Sequence, residues 1–181
     1  MEYNEFKAID FCDAVRDGTH ASPKRKEHGF KLITSKHIRE NNIDLDNAYY
    51  ISEEDYIEVN KRSKVDINDI LFSMIGTIGL IYRVDFEPNF AIKNMGLFKI
   101  KDEIKSKWLY YYLKSPYMTN YIKTLMSGST QQYITLDNLR NLPIKFPINE
   151  KLAYKIINVL EKIDKKIDIN NQINDNLLNV A

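Results

Sequence analysis

Six cationic side chains fall between residues 24 and 39: Lys24, Arg25, Lys26, Lys31, Lys36 and Arg39. Glu27 is the one carboxylate among them, so the stretch carries a local +5 while the whole chain carries only +1. Asp10, Asp13 and Asp17 precede it, and Asp44, Asp46, Glu53, Glu54 and Asp55 follow. A nearly neutral chain is no general polyanion binder, so the placement of charge matters more than its sum. Lys and Arg clustered in this way suit phosphate oxygens. A solvated loop is the plainer reading of the same run. A second polar segment, from Ser127 to Tyr133, concentrates amides and hydroxyls. Ser129, Gln131 and Gln132 can reach base edges, since amides pair with adenine in the major groove, and Tyr133 can pack on sugar or base. Loop solvation is again the alternative.

Little else in the chain looks like catalytic equipment. A serine elbow would need GxSxG, a P-loop GxxxxGK[ST] and a dinucleotide loop GxGxxG; none occurs. His20, His28 and His37 lie close together without the HExxH spacing of a zinc enzyme. The single cysteine, Cys12, beside Phe11, reads as core and excludes a disulfide framework or a Cys-based zinc site. Asp85 and Glu87 lack a following Lys at nuclease spacing, and Asn141-Leu142-Pro143-Ile144 does not fit a methyltransferase tetrapeptide. The expectation is therefore a non-enzyme with no cofactor and no metal.

These groups must be held by a folded domain. Hydrophobic residues make up 44% of the chain, enough for a core, and twelve Tyr stand against one Trp. Phe30 to Thr34 and Tyr49 to Ile51 read as strands, and Ser52 with Asp55 marks a helix start. Ile70 to Ile75 reads as a buried strand and Leu80 to Val84 as its return. Between them Gly76-Thr77-Ile78-Gly79 makes a turn whose glycines allow close backbone approach. The same turn echoes the GxxG loop of KH-type RNA binders, but it joins strands and carries no base. Phe90 to Ile100 reads as a strand pair broken near Asn94. Lys105 to Lys114 and Tyr117 to Met126 read as helices separated at Ser115-Pro116. Leu136 to Leu142 is a short helix capped by Thr135 or Asp137, and the prolines at 143 and 147 enforce an extended segment.

From Asn149 to Leu178 there is neither Pro nor Gly. Ala153, Ile156, Leu160, Ile163, Ile167 and Leu177 recur at three- and four-residue steps, and the same alternation carries Asn170 and Asn174. The pattern is a helix about 45 Å long with a coiled-coil seam, in which buried asparagines would fix register. Ile169 and Ile173 offer a competing stripe. The fold class is α+β: a mixed-sheet globular domain over 1–148 and a long helical arm over 149–181. No apolar run is long enough to cross a membrane, and the N-terminus lacks a signal-peptide core, so a cytoplasmic setting is expected.

Taken in order, these segments resemble the specificity subunit of type I restriction-modification systems. Asp17-Gly18-Thr19-His20 with Ser22-Pro23 and Gly29 to Thr34 is similar to the opening of its target recognition domain. Asp69-Ile70-Leu71-Phe72-Ser73 with Gly76 to Gly79 is similar to its strand and glycine turn, and Gly128-Ser129-Thr130-Gln131 to its later polar loop. Leu139 to Ile148 with Glu150 resembles the proline-bearing entry to its conserved helix, although Glu150-Lys151 stands where the family usually has Glu-Gln. The resemblance implies recognition of double-stranded DNA, with methylation and cleavage left to methyltransferase and restriction subunits. Family members usually carry two recognition domains and two helical spacers. One of each here suggests a half-subunit, or half of a longer protein, acting as a homodimer on two inverted half-sites. A truncated fragment that docks on the methyltransferase without specificity of its own is the alternative.

Overall fold

The computed structural model describes residues 2–39, 42–127 and 132–178. The chain opens with β1 (Tyr3–Lys7), α1 (Ala8–Phe11), β2 (Ala14–Asp17) and β3 (Phe30–Ile33). A single 3-10 turn (Ser35–His37) leads into β4 (Ile38–Arg39), β5 (Asn42–Ile43), β6 (Tyr50–Ile51) and α2 (Glu53–Ser63). Next come β7 (Ile70–Ser73), β8 (Ile81–Arg83), β9 (Phe90–Ile92) and β10 (Met95–Lys99). The helices α3 (Glu103–Lys114), α4 (Pro116–Leu125) and α5 (Leu136–Arg140) precede β11 (Pro143–Pro147) and α6 (Glu150–Leu178).

The apolar runs that show no alternation are strands covered on both faces. Antiparallel β2-β10-β7-β8 forms the central sheet. Ile70, Phe72 and Phe98 point to a core shared with α3, α4 and α5, whereas Leu71, Met95 and Leu97 point the other way. There they meet Ile33, Phe90 and Ile92 of a second sheet, β6-β3-β9, in which β3 and β9 are parallel. The far face of that sheet, Leu32, Ile51 and Ala91, packs on Val59 of α2. The order of layers is helices, sheet, sheet, helix, a mixed α+β architecture.

Local signals in the sequence act as their chemistry requires. The Ser52 hydroxyl caps α2 by accepting from Asp55 N at 3.2 Å, and Thr135 caps α5 by accepting from Asn138 N at 3.1 Å. Ser115 caps α4, with Pro116 in its first turn. One expectation is corrected. Residues 90–100 do make two strands, but β9 and β10 do not pair with each other. Asn94 has φ +53, and the chain passes there from one sheet to the other. Strand periodicity reports burial, not partner, so it cannot distinguish a hairpin from a crossing.

The extended proline segment becomes β11, which pairs antiparallel with β1 from Tyr3 against Pro147 to Lys7 against Pro143. It delivers the chain to α6, a helix of 29 residues and about 43 Å. Ala153 and Ile157 are buried against the domain, and Ile156 packs at the edge of the same core. Glu161 accepts from Lys107 at 2.8 Å and Asp164 accepts from the Tyr111 hydroxyl at 2.9 Å. From Lys165 to Leu177 every residue is exposed. The three-four stripe thus divides. Ile156 and Leu160 are half-buried at the domain end. Ile163, Ile167 and Leu177, with Asn170 and Asn174, are exposed.

Candidate nucleic-acid interface

The basic run does not behave as one loop. Lys26 is hooked to the edge of β6 through a hydrogen bond from its N–H to Tyr50 O at 2.9 Å, with its side chain exposed. Lys31 lies on β3; its amine donates to Ala48 O at 3.0 Å and stands 3.9 Å from the centre of the Tyr50 ring. Arg25, Lys26, Lys31, Tyr49 and Tyr50, with the carboxylates of Glu27 and Asp46 among them, line one open cleft of about 690 Å³. Tyr49 also lines a second, of about 570 Å³, together with Lys36, His37, Gly76, Thr77, Lys93 and Asn94. The two clefts meet at Tyr49 and form one cationic band.

Lys36 stands at the end of this band on the 3-10 turn, exposed, and joins no ion pair among the described residues. The turn is rigid because Thr34 and His37 cap each other: Thr34 N donates to His37 Nδ1 at 3.0 Å. A ring nitrogen that accepts must be unprotonated. Burial accordingly pushes the His37 pKa below its ordinary value, with the Asp44 carboxylate pulling the other way. Arg39 is placed differently. It donates to the carbonyls of Lys36 and Ile38 and to Asp44 Oδ2 at 3.1 Å, and it lines neither cleft. Its guanidinium staples the β4–β5 hairpin, so phosphate contact would compete with those bonds. Lys24 is exposed and also lines neither cleft.

The glycine turn forms the opposite wall. Gly76 and Gly79 have φ of +79 and +85, conformations that favour glycine, and an added Cβ at either would meet nothing within 4 Å. Ser73, fully buried, braces the turn from below: its hydroxyl donates to Thr77 O at 2.5 Å and accepts from Leu80 N at 2.9 Å. Beside the turn runs the end of the polar loop. Tyr133 pairs with both Ser127 and Ile75, and Ile134 N donates to Met74 O at 3.0 Å. Gln132 and Tyr133 are therefore exposed next to the glycine turn. Ser129 and Gln131 lie outside the described residues. The turn connects two strands of a sheet, not two helices as a KH loop would.

Sequence reasoning missed Tyr49, Lys93 and Asn94. Nothing in their spacing connects them to the basic run; the parallel pairing of β3 with β9 does, by setting residue 93 beside residue 34. It also missed what Asp17-Gly18-Thr19-His20 does. Asp17 is buried and paired with Arg62, and His20 bridges Asp17 Oδ2 at 2.9 Å and Asn94 Oδ1 at 2.8 Å. A side chain on Gly18 would meet Ile92 O at 2.5 Å. The motif supports the crossing at Asn94 from beneath. Among the described residues, no group of three or more His, Cys, Asp or Glu is placed to hold a metal ion, and no helix is long and apolar enough to cross a membrane.

Comparison with known proteins gives one answer. Residues 1–179 match the family model described as type I restriction modification DNA specificity domain. The chain is 30% identical over 158 residues to the type I restriction enzyme EcoBI specificity subunit of Escherichia coli, covering 84% of this chain and 32% of that protein. In fold it is similar to the S subunit of a type I restriction-modification system from M. genitalium, with TM-score 0.64, 18% identity and 93% of this chain covered against 40% of that one. It is similar also to the HsdS subunit from Thermoanaerobacter tengcongensis, with TM-score 0.62, 15% identity and coverage of 92% and 38%. The chain thus spans about a third of the curated relative and about two fifths of the solved subunits. With the family model matched from end to end of the domain and arm alike, this protein belongs to the type I restriction-modification DNA specificity family.

Proposed function

We propose that this chain is a non-catalytic, sequence-specific reader of double-stranded DNA, one half of a bipartite recognition unit that directs methyltransferase and restriction subunits in the cytoplasm. The reading rests on the cationic band ending between Lys36 and the glycine turn. Phosphates need unpaired cations, and bases need a place where the backbone can come close. Arg25, Lys26 and Lys36, with Lys24 at the margin, take the backbone; Gln132 and Tyr133 face the groove, and Ser129 and Gln131, outside the described residues, are proposed as base contacts from sequence alone. Residues 1–148 form the recognition domain and 149–181 the spacer. From Ile163 onward, α6 carries Ile163, Ile167, Asn170, Asn174 and Leu177 on one exposed face, about 20 Å of helix suited to a second copy or a methyltransferase helix. Two copies about a two-fold axis would then address two inverted half-sites at fixed spacing.

The experiment is to purify the chain with a methyltransferase subunit and measure binding to a panel of duplexes. Preference for a bipartite sequence supports the proposal, and sequence-blind binding by the assembled complex defeats it. Because the chain spans only about a third of the curated relative, a docking fragment without specificity is the second reading. It would associate stably with the methyltransferase, form no dimer and select no sequence.

A further inference from the structure

Lys93 lies outside the basic run, yet it is the most firmly held cation in the second cleft. It sits where the chain leaves β9 for β10, and the backbone is fixed on both sides. Lys93 N donates to Ile33 O at 2.8 Å, and Asn94 N donates to Thr19 O at 3.1 Å. The left-handed Asn94 is held in turn by His20. The Lys93 amine donates to Ser22 Oγ at 2.6 Å, and no carboxylate lies within ion-pair distance among the described residues. The side chain is half-buried in the wall that faces Thr77 and Lys36.

An ammonium carries three donors, and one is given to Ser22. Two remain. Tracking a phosphate needs only charge, which mobile exposed side chains such as Lys36 supply. Distinguishing one base from another needs a donor held to within a fraction of an ångström on rigid elements. Lys93 meets that demand through two sheets and a hydroxyl; the surface lysines of the band do not.

We propose that Lys93 is a specificity-determining residue that donates to the O6 and N7 acceptors of one guanine in the major groove of the bound duplex. The inference rests on the DNA-reading function proposed above, and its test separates the two. The chain assembled with a methyltransferase subunit is used to select from a randomised duplex pool. The wild type is expected to enrich a motif containing a guanine whose preference Lys93→Gln reduces about tenfold or more, with the other positions unchanged. Ser22→Ala, at an exposed site where folding is not at stake, is expected to blunt the same position while the charge is retained. A motif left intact by Lys93→Gln, with affinity weakened uniformly and the salt slope reduced by about one, would mark a phosphate contact and overturn the assignment. An unchanged motif and affinity would overturn it as well. If Lys93→Gln fails to fold, Ser22→Ala decides alone: no effect on any guanine position defeats the proposal. A wild-type assembly that enriches nothing removes the DNA-reading function itself, and this inference with it.

Discussion

Lys36 and Arg39 are three residues apart and look equivalent in a charge count, yet they have different jobs. Lys36 is exposed and joins no ion pair among the described residues, whereas Arg39 is bonded to two carbonyls and Asp44. Lys36→Gln is expected to weaken DNA binding for all sequences alike and reduce the salt slope by about one, as read by titration at several salt concentrations. Arg39→Gln is expected to leave that slope unchanged. Between them, His37 gives the site a pH dependence. Its folded pKa lies below the ordinary 6.5 because burial opposes charge. The unfolded chain therefore takes up the proton first as pH falls. The contribution to stability is complete above about 6.5 and is lost as pH falls through the folded value. Thermal unfolding scanned downward from pH 7.5 should show this acid limb, and His37→Gln should flatten it. Composition reveals the cations but not their partners. A carbonyl acceptor leaves no mark on a charge pattern, which is why Arg39 and Lys31 could not be separated from Lys36 by reading.

At the level of elements, the pieces that position the site were legible where the signal is local and illegible where it is long-range. Ser52, Ser115 and Thr135 cap helices because a hydroxyl before an amphipathic run has an orphan N–H within three residues to accept from. The turn at Gly76 to Gly79 could be seen from its two glycines. What brings it opposite Lys36 could not, because the crossing at Asn94 and the parallel β3–β9 pair join residues about sixty apart. Ser73 shows how one element then sets another's shape. Its buried hydroxyl holds both limbs of the turn, at Thr77 O and Leu80 N. Ser73→Ala removes both bonds and leaves the half-buried N–H of Leu80 without its acceptor, at a cost of about 1 kcal/mol or somewhat more. The expected result is a melting temperature lower by several degrees, with broadened base preference in a selection experiment, since the turn loses its brace before the sheet loses its pairing. An unchanged sequence preference in Ser73→Ala would mean that the turn does not face the bases.

For the whole molecule the decisive element is α6, which shows two faces to two surroundings. The face bearing Ala153, Ile157, Glu161 and Asp164 belongs to the domain, held by core packing and by the contacts of Lys107 and Tyr111. Burial, and then the Asp164 carboxylate, push the Tyr111 hydroxyl well above its ordinary pKa, so this link stays protonated across the working range. The helix thus leaves the domain at a set angle, as a spacer must if it is to fix a distance. A heptad drawn through the sequence runs between these faces. It captured the outer residues Ile163, Ile167 and Leu177 but passed over Ile157, because the alternation takes the three-residue step from Ala153 to Ile156, whereas the four-residue step to Ile157 lies on the same side of the helix and is the one most deeply buried. Substitutions on the two faces should therefore have opposite consequences. Ile157→Ala, at 2% exposure, is expected to cost about 2–4 kcal/mol in domain stability by opening a cavity. The double change Ile163→Asp and Ile167→Asp, at 50% and 46% exposure, is expected to leave the domain's melting temperature within a degree or two. If the outer face is the joint of the proposed two-reader assembly, that double variant sediments as a monomer where the wild type sediments as a dimer or as a methyltransferase complex. It should lose preference for bipartite over single half-sites in step. An assembly whose mass is unchanged by two buried like charges would require the readers to be joined through some other surface, and the distance between half-sites would then no longer be set by this helix.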